Sequence, residues 1–581
     1  MRPRYLAAIC AGGTAEAARE RARLKASLPE SLELIFDNKG VLIFANCSEA
    51  CLASASAMVI GSLFARGKRT PSESLTLAEW TAIEHSRGTV LIDAYWGSYI
   101  AVLIAPDGVT LLRAPFGDLG CYHCRRGSTV WAASDLTLLL ATAKMERRVA
   151  IDALVGHIAF PEWRSRETCL EGVFELRGGD NLSIASDGIE QVPVWSPWRF
   201  VSDNMQISDP EDAVGRVGDA VRLAVAARTS GKKCLLLLSG GLDSAVVAAV
   251  MRGAGIDFAA LNLVANDMAS DETRYARLVA EKFELDCDVR HLELDRVDVR
   301  RSAAADMPYP AHRCFTQALD AVAVEAAEQQ AAELVIDGGG GDNVFFASRT
   351  VSILADCLLT SGFDARFWRA ARILGDLAQT GLATVLRKTV ARAWFRSRPP
   401  PLQMSTAFLS RAAKADAAAR QRHPWFTPPD DVLPGRVSHV ALLAPAQNLV
   451  EALNAQASYP SLSPLVSQPV VEACLRVPSW FWIAPGMNRA AVRRAFEAVL
   501  PAEIVHRRSK GAPTAFVAAI FEHNRDTIRE MLLGGILADA GIIDRDAVAM
   551  ALAQPGPTRD LRFVRIMELV DAEAWARAQR Q

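Results

Sequence analysis

The stretch LLLLSGGLDSAVVAAVMRGAG, Leu235 to Gly255, restricts the fold of this chain more than any other. Four consecutive leucines show no alternation of apolar and polar residues, so the strand they predict is covered on both faces, as in a parallel sheet flanked by helices. SGG is turn chemistry, and LDSAVVAAV reads as a helix whose first turn carries Asp243 and Ser244. A buried strand that runs into a glycine turn and then a helix builds an anion site, because the helix N-terminus offers free N–H groups and the positive end of its dipole. The same rhythm continues through FAALNLVANDMASDETRYARLVAEKFE, CDVRHLEL and AELVIDGGGGDNVFF. Strands alternating with helices of about a dozen residues predict a parallel, helix-covered sheet. From about residue 350 the pattern is mostly helical.

The first 200 residues read differently. Short β patterns (SLELIFDNKGVLIFAN, TVLIDAYWGSYIAVLIAPDGVTLLRAPFGD, STVWAASD, FELRGGDNLSIASDG) are separated by turn signals at Asp37-Asn38-Lys39-Gly40, Pro106-Asp107-Gly108 and Gly178-Gly179-Asp180. They predict hairpins of an antiparallel sandwich, with few helices such as the one around SLTLAEWTAIEHS. A Pro/Trp/Ser-rich stretch, VPVWSPWRFVSDNMQISDPEDA, marks the join, which divides the chain into 1–205 and 206–581. A length of 581 residues fits more than one domain.

Composition excludes several classes. With 64 basic and 66 acidic residues and 50% hydrophobic residues, the chain is neither a nucleic-acid binder by net charge nor disordered. No apolar run reaches the roughly 18 residues that span a bilayer, and the apolar segment of MRPRYLAAICAGG is too brief for a secretory signal. A cytoplasmic location without membrane insertion is the expectation. Eleven cysteines, odd in number and scattered, suit reduced thiols. Cys121-Tyr122-His123-Cys124 has zinc-knuckle spacing but no second CxxC nearby, so it reads as half a metal site or as two cysteines near a strand end. Residues 364–422 hold twelve Lys/Arg against three Asp, which reads as a solvated helical insertion or as a docking surface for an acidic partner.

In SGGLDS, Gly240 and Gly241 let backbone amides approach a phosphate without a Cβ in the way, and the Ser239 and Ser244 hydroxyls can donate to its oxygens. Asp243 alone would repel an anion; a divalent cation between the two, usually Mg²⁺, removes the objection. No Walker A pattern is present. IDGGGGDNVFF supplies a second glycine-rich strand end, with Gly340, Gly341 and Asp342. Two such ends at the carboxyl edge of one sheet fit a shared Mg²⁺. PAEIVHRRSKGAPTAF clusters Arg507, Arg508 and Lys510, cations of the kind that neutralise a transferring phosphate.

SGGLDS resembles the pyrophosphate-loop signature of the ATP pyrophosphatases, and the chain from about residue 30 onward resembles the asparagine synthetase-like family. SDETRYA (Ser270 to Ala276), SPLVSQPVVEACLRVP (Ser463 to Pro478), NRAAVRRAFEAVLP (Asn488 to Pro501) and RRSKG (Arg507 to Gly511) carry the likeness. The resemblance implies an α+β and α/β two-domain protein. Its N-terminal part (1–205) is an amidotransferase-like, Ntn-type antiparallel sandwich, and its C-terminal part (206–581) a PP-loop ATP pyrophosphatase parallel sheet with a helical extension. It further implies ATP and Mg²⁺ as cofactors, with Ser239, Gly240, Gly241, Leu242, Asp243, Ser244, Gly340, Gly341 and Arg508 around the nucleotide. Asp243 and Asp342 would hold the metal and, with Lys510, carry the catalysis.

Two departures narrow the resemblance. The glutamine-hydrolysing domain of asparagine synthetases exposes a Cys at its processed N-terminus, whereas position 2 here is Arg2 and the first cysteine, Cys10, lies inside an apolar segment. The expectation is that no ammonia comes from glutamine and that the attacking amine belongs to the substrate itself. β-Lactam synthetases carry a Tyr in the glycine loop and an upstream Glu; the matching positions here are Gly339 and Pro460. GGGGDNVF, PLVSQPVVE, RRSKG and WGSYIAVLIAPDGVTLLRAPFGDLGCYHC resemble the lasso peptide cyclases. That likeness implies adenylation of an Asp or Glu side chain of a leaderless core peptide, then attack by the peptide's N-terminal amine, in the biosynthesis of an antibiotic-type peptide. It implies as partners the linear core peptide, a leader peptidase and a leader-binding protein, and no nucleic acid. His312 and Arg313, in YPAHRCFTQALD, are candidates for the substrate side, with a structural role as the alternative reading for the histidine. The competing readings are a β-lactam- or asparagine-forming amide synthetase on a small substrate, a PP-loop tRNA-modifying enzyme, and a non-catalytic scaffold.

Overall fold

The computed structural model describes residues 3–580 apart from 11–12, 47–50, 187, 266–271, 312, 396–403, 421–422, 457, 509–513 and 554–561. Within the helix Pro434–Gln456 the side chains of 449–451 and 453–456 are also outside the description.

Two six-stranded antiparallel sheets stack in the N-terminal part. One runs in the order Phe174–Glu175, Tyr122–Arg126, Thr129–Ala133, Tyr5–Cys10, Val41–Ala45, Glu33–Asn38. The other runs Gly188–Pro193, Asp180–Ala185, Gly108–Arg113, Tyr95–Ala105, Ala57–Ala65, Cys51–Ala53. The period of two decides which side chain goes where. Tyr5, Ala7 and Ile9 enter the core between the sheets with Ile60, Ile100 and Leu182. Leu6, Ala8 and Cys10 face outward, under Ala17 and Leu24 of the helix Gly13–Ser27. The outer face of the second sheet packs Leu63, Tyr99 and Leu112 against Trp80 and Ile83 of the helix Leu77–His85, whose start is fixed by a Thr76–Glu79 capping box. The expected sandwich therefore carries helices on both outer faces.

Of the three expected hairpin turns, two join neighbouring strands. Lys39 and Gly40 both take positive φ (46° and 86°), the twist a two-residue hairpin requires. Pro106–Asp107 closes the second hairpin. The third corrects the expectation: Gly178–Gly179 links a strand of one sheet to a strand of the other. A Cβ on Gly178 would stand 2.4 Å from the Pro115 carbonyl oxygen, so that crossing needs glycine.

The metal reading of Cys121–Cys124 is corrected as well. An odd separation along a strand sends side chains to opposite faces. Cys121 packs between the sheets and Cys124 on the outer side, both buried, with burial pushing their thiols up to about 11 and about 12. Among the described residues no group of three His, Cys, Asp or Glu could hold a metal ion.

The second part is built on a five-stranded parallel sheet. In chain order its strands are Cys234–Leu237, Phe258–Val264, Cys287–His291, Leu334–Ile336 and Ser461–Leu462, and in space they run third, second, first, fourth, fifth. The order reverses between the first and fourth strands, which pair directly (Leu235 with Val335, Leu236 with Ile336). Such a switch point leaves a crevice at the carboxyl edge, and both glycine loops open there. The leucine strand is covered on both faces, since Leu235 and Leu236 belong to different apolar cores. Much of the basic stretch is helical, including Ala365–Ala378, Leu382–Val390 and Arg411–Arg420. Among the described residues no helix is long and apolar enough to cross a membrane.

The two parts are clamped together by Glu472. Its buried carboxylate accepts from Arg66 of the sandwich (2.5 and 3.1 Å), from Trp195 Nε1 (3.0 Å) and from Gln468 (2.8 Å). Gln447 adds a donation to the Pro115 carbonyl at 2.6 Å.

Candidate functional site at the sheet switch point

The SGG turn is held from behind. Asn262 on the second strand donates to the Leu238 carbonyl at 2.8 Å and accepts from Thr273 at 3.0 Å, both inside the core. Gly240 takes φ +70°, and a Cβ there would lie 2.6 Å from the Ala276 nitrogen, so the turn admits no side chain. Gly241 starts the helix Leu242–Gly253 and leaves its N-terminus without a side-chain cap. Those uncapped N–H groups are the donors a phosphate would take. Ser239 Oγ lies 3.2 Å from Ser244 Oγ and accepts from the Gly241 N–H at 3.3 Å, and Ser244 is buried. Leu242 buries its side chain in the core, so of the expected nucleotide contacts it can offer only backbone.

The second loop fits around the first. A Cβ on Gly338 would stand 2.6 Å from the Ser244 nitrogen, and one on Gly341 2.5 Å from Asp243 Cγ. Gly340 turns left-handed (φ +73°) to start the short helix Gly341–Val344 that presents Asp342. That helix is tied to Pro434–Gln456: Asn343 donates to the Leu442 carbonyl at 2.9 Å, and His439 bonds the Val344 carbonyl at 2.9 Å.

Asp243 and Asp342 converge on one cation. Arg489 Nη1 lies 3.0 and 3.1 Å from the two Asp243 oxygens and 2.5 Å from Asp342 Oδ1. Arg489 itself has φ +56°, a left-handed conformation uncommon for a non-glycine residue, at the start of the helix Ala490–Phe496. Its Nε is buried without a hydrogen-bond partner. One guanidinium nitrogen within reach of both carboxylates shows that a single cation bridges them. Two carboxylates, with no third acidic, histidine or cysteine ligand among the described residues, is also a donor set Mg²⁺ takes when phosphate oxygens and water complete its shell. The residues therefore fit the metal.

Next to this pair the cations of RRSKG divide. Arg507 is structural: it donates to the Gly240 carbonyl at 2.8 Å, pairs with Glu272, and stacks its guanidinium 3.9 Å over the Tyr275 ring. Buried Arg493 binds the carbonyls of Ile504, Val505 and Arg507, which fixes the chain that carries them. Burial and then the charge of Arg489 bring the Arg493 guanidinium down to about 10. Arg508 is exposed, with its guanidinium beside Gly486. Lys510 and His312 lie outside the described residues. Arg313 is turned to the C-terminal helix, where it pairs with Glu568 at 2.9 Å and approaches Asp571 at 3.9 Å.

Sequence reasoning passed over Arg489, Asn262, and the pair Asp337–Ser463. Asp337 ends the fourth strand, accepts from Ser463 Oγ at 2.5 Å and from the Gly339 N–H at 2.8 Å, and its carboxyl is pushed up by burial against those two donations. The one available signal was the position of Asp337 after the strand predicted in AELVIDG; the strand Ser461–Leu462 before Ser463 carries no such pattern.

The sequence model of the asparagine synthase family matches residues 216–577. No curated protein matches the chain. Among solved structures, the glutamine phosphoribosylpyrophosphate amidotransferase from B. subtilis complexed with ADP and GMP is 9% identical over 44% of this chain and 65% of that one, with a TM-score of 0.21. The allosteric regulatory enzyme of purine biosynthesis is also 9% identical, over 50% of this chain and 74% of that one, with a TM-score of 0.20. Likeness at that level decides nothing about fold or chemistry.

Proposed function

The chain belongs to the asparagine synthase family, and from that premise we propose that it is an ATP-dependent ligase that closes an isopeptide ring in a linear peptide, as lasso peptide cyclases do. The observation that carries the ATP-dependent part is the meeting of Asp243 and Asp342 beside an uncapped helix N-terminus at the sheet's switch point. The phosphates would lie over Ser239–Ser244, with Gly338 and Gly341 clearing room for Asp243. Mg²⁺ on Asp243 and Asp342 would neutralise phosphate charge. The peptide's Asp or Glu carboxylate attacks the α-phosphorus, and the bond to pyrophosphate breaks. The peptide's N-terminal amine then attacks the acyl carbon, loses a proton, and the bond to AMP breaks. Lys510 is given the role of stabilising charge in both steps by its place in RRSKG.

The choice of amine rests on Cys10. It ends the strand Tyr5–Cys10, paired on one side with Val41–Ala45 and on the other with Thr129–Ala133, and burial pushes its thiol up to about 11. Freeing Cys10 as a terminal nucleophile would remove a central strand of its sheet. We therefore read residues 1–205 as an amidotransferase-like domain that releases no ammonia, and 206–581 as the synthetase. A leader peptidase would expose the peptide's amine, and a leader-binding protein would deliver the precursor, in the cytoplasm.

The test is the mass of the linear core peptide encoded beside this gene, before and after incubation with the protein, ATP and Mg²⁺. Loss of one water with AMP formation, absent in Asp243→Ala, supports a cyclase, and a tail resistant to carboxypeptidase supports the lasso. AMP formed only with free aspartate and ammonia would return the chain to the small-molecule amide synthetases.

A further inference from the structure

Ring closure releases a proton from the attacking amine, and a group in the crevice must take it. Among the described residues of the two glycine loops the acids are Asp243, Asp337 and Asp342. Asp243 and Asp342 share Arg489 and are the pair that fits Mg²⁺. Asp337 stands apart from them. No cation among the described residues pairs with it, and its carboxylate is held at one oxygen only. Oδ1 accepts from Ser463 Oγ at 2.5 Å and from the Gly339 N–H at 2.8 Å. Oδ2 has no partner among the described residues, yet it is not sealed in the interior, and the residue as a whole is half-buried. A Cβ on Gly339 would stand 2.9 Å from Asp337 Oδ1 and 3.0 Å from Ser463 Oγ, so glycine there leaves the carboxylate uncrowded. Burial pushes the carboxyl up against the two donations, which makes the carboxylate a better proton acceptor.

The backbone places it near the phosphates. Asp337 precedes Gly338, whose Cβ position lies 2.6 Å from the Ser244 nitrogen and 3.1 Å from Asp243 Cβ. With neighbouring α-carbons about 3.8 Å apart, Asp337 Cα stands no more than about 8 Å from the first turn of the helix Leu242–Gly253. Both donors to Oδ1 belong to the carboxyl edge of the sheet, so the carboxylate lies at that edge. The acyl carbon of an adenylate hangs on the α-phosphorus through one oxygen, so the amine that attacks it works in the same crevice.

We propose that Asp337 is the general base of ring closure, with Ser463 and Gly339 fixing Oδ1 so that Oδ2 meets the amine. As the peptide nitrogen bonds to the acyl carbon, Oδ2 takes its proton. The bond from that carbon to the AMP oxygen then breaks, AMP keeps the electron pair, and the proton passes from Asp337 to water. Adenylation, in which a carboxylate displaces pyrophosphate, moves no proton and does not need this group. The inference rests on the peptide-ligase reading.

Asp337→Asn separates the two steps. Its side-chain carbonyl keeps both donations, while an NH₂ group at the Oδ2 position accepts no proton. Adenylation alone is read by pyrophosphate exchange on the N-acetylated core peptide, whose blocked amine cannot close the ring. That exchange should change by no more than about threefold, while ring closure of the free-amine peptide should fall about a hundredfold or more. The deficit should narrow as pH rises towards about 9, where hydroxide takes the proton instead. Ser463→Ala leaves the carboxylate but loosens Oδ1, and should slow ring closure about tenfold with exchange preserved. Ring closure at the wild-type rate in both variants overturns the proposal. So does a parallel loss of exchange and ring closure in Asp337→Asn, which would make Asp337 a nucleotide contact. A wild type that shows no peptide-dependent exchange at all sinks the ligase reading, and the base with it.

Discussion

SGGLDS opens a helix of 12 residues, whereas GGGGDN opens one of four. A long helix with an uncapped start gathers free N–H groups and a dipole; one turn gathers neither to the same degree. The glycines differ accordingly. Gly240 is needed for its positive φ, and Gly241 keeps the helix start bare. Gly338 and Gly341 are needed because Asp243 and Ser244 of the other loop occupy the space their side chains would fill. The first loop is thus built to receive an anion, and the second to deliver one carboxylate while making room for another.

The largest effect should come from Asp243, which the two loops share. Asp243→Asn should lower AMP formation by about a hundredfold or more, read by pyrophosphate exchange, because it removes charge from a point at which both loops meet one cation. A loss below about tenfold would break the idea of a shared site.

Glycine substitutions separate the loops. Gly341→Ala places a methyl group 2.5 Å from Asp243 Cγ, so it should cost about 2 to 3 kcal/mol of stability in denaturant unfolding and displace the carboxylate. Gly241→Ala meets only Ser239 Oγ, at 3.3 Å, and a hydroxyl can rotate away. It should change stability by less than about 0.5 kcal/mol yet weaken ATP binding. Equal melting temperatures for the two variants would erase the distinction.

Arg489 is a comparably strong lever. Arg489→Gln removes the cation that Asp243 and Asp342 share, a loss of about 2 kcal/mol or more in a partly buried setting, and Mg²⁺ without nucleotide should restore part of it. Thermal unfolding with and without MgCl₂ reads this directly. Stabilisation of the wild type by Mg²⁺ as large as that of Arg489→Gln would show that the arginine does not stand where the metal goes.

The last and smallest effect concerns acid. His157, His423 and His439 are held neutral, at about 4, about 3 and about 4, by burial. Between the ordinary histidine range near 6.5 and those values the unfolded chain binds protons the folded chain refuses, so stability falls as pH drops from about 6.5 towards 4. The slope should be shallower in His423→Phe. His439 braces the second loop, so acid should loosen Asp342 before Asp243, visible as faster amide exchange at 341–344 than at 242–253.

Much of this was legible in the chain. Turn spacing separated the antiparallel part from the parallel one: hairpin signals punctuate the first 200 residues, whereas beyond them strands alternate with long helices. The strand–glycine–helix pattern located both loops, since few residues other than glycine tolerate those turns. Arg489 could not be read in the same way. It is 246 residues from Asp243 in sequence, and nothing in NRAAVRRAF marks which arginine turns inward. Cys121 and Cys124 misled for a related reason: spacing in a motif says nothing about strand parity until the strand is known.

The sequence by itself determined which segments pair as hairpins and which strands feed helices, where glycine is obligatory, and which carboxylates stand at strand ends. These are local properties, written in neighbouring residues. Only the tertiary structure decided that Asp243 and Asp342 meet one arginine, that Arg507 is spent on bracing the turn, that Cys10 is locked inside a sheet, and that Tyr309 lies beside His157. Each of those depends on residues brought together from distant parts of the chain by the burial of shared cores, and such pairings leave no periodic trace for a sequence to show.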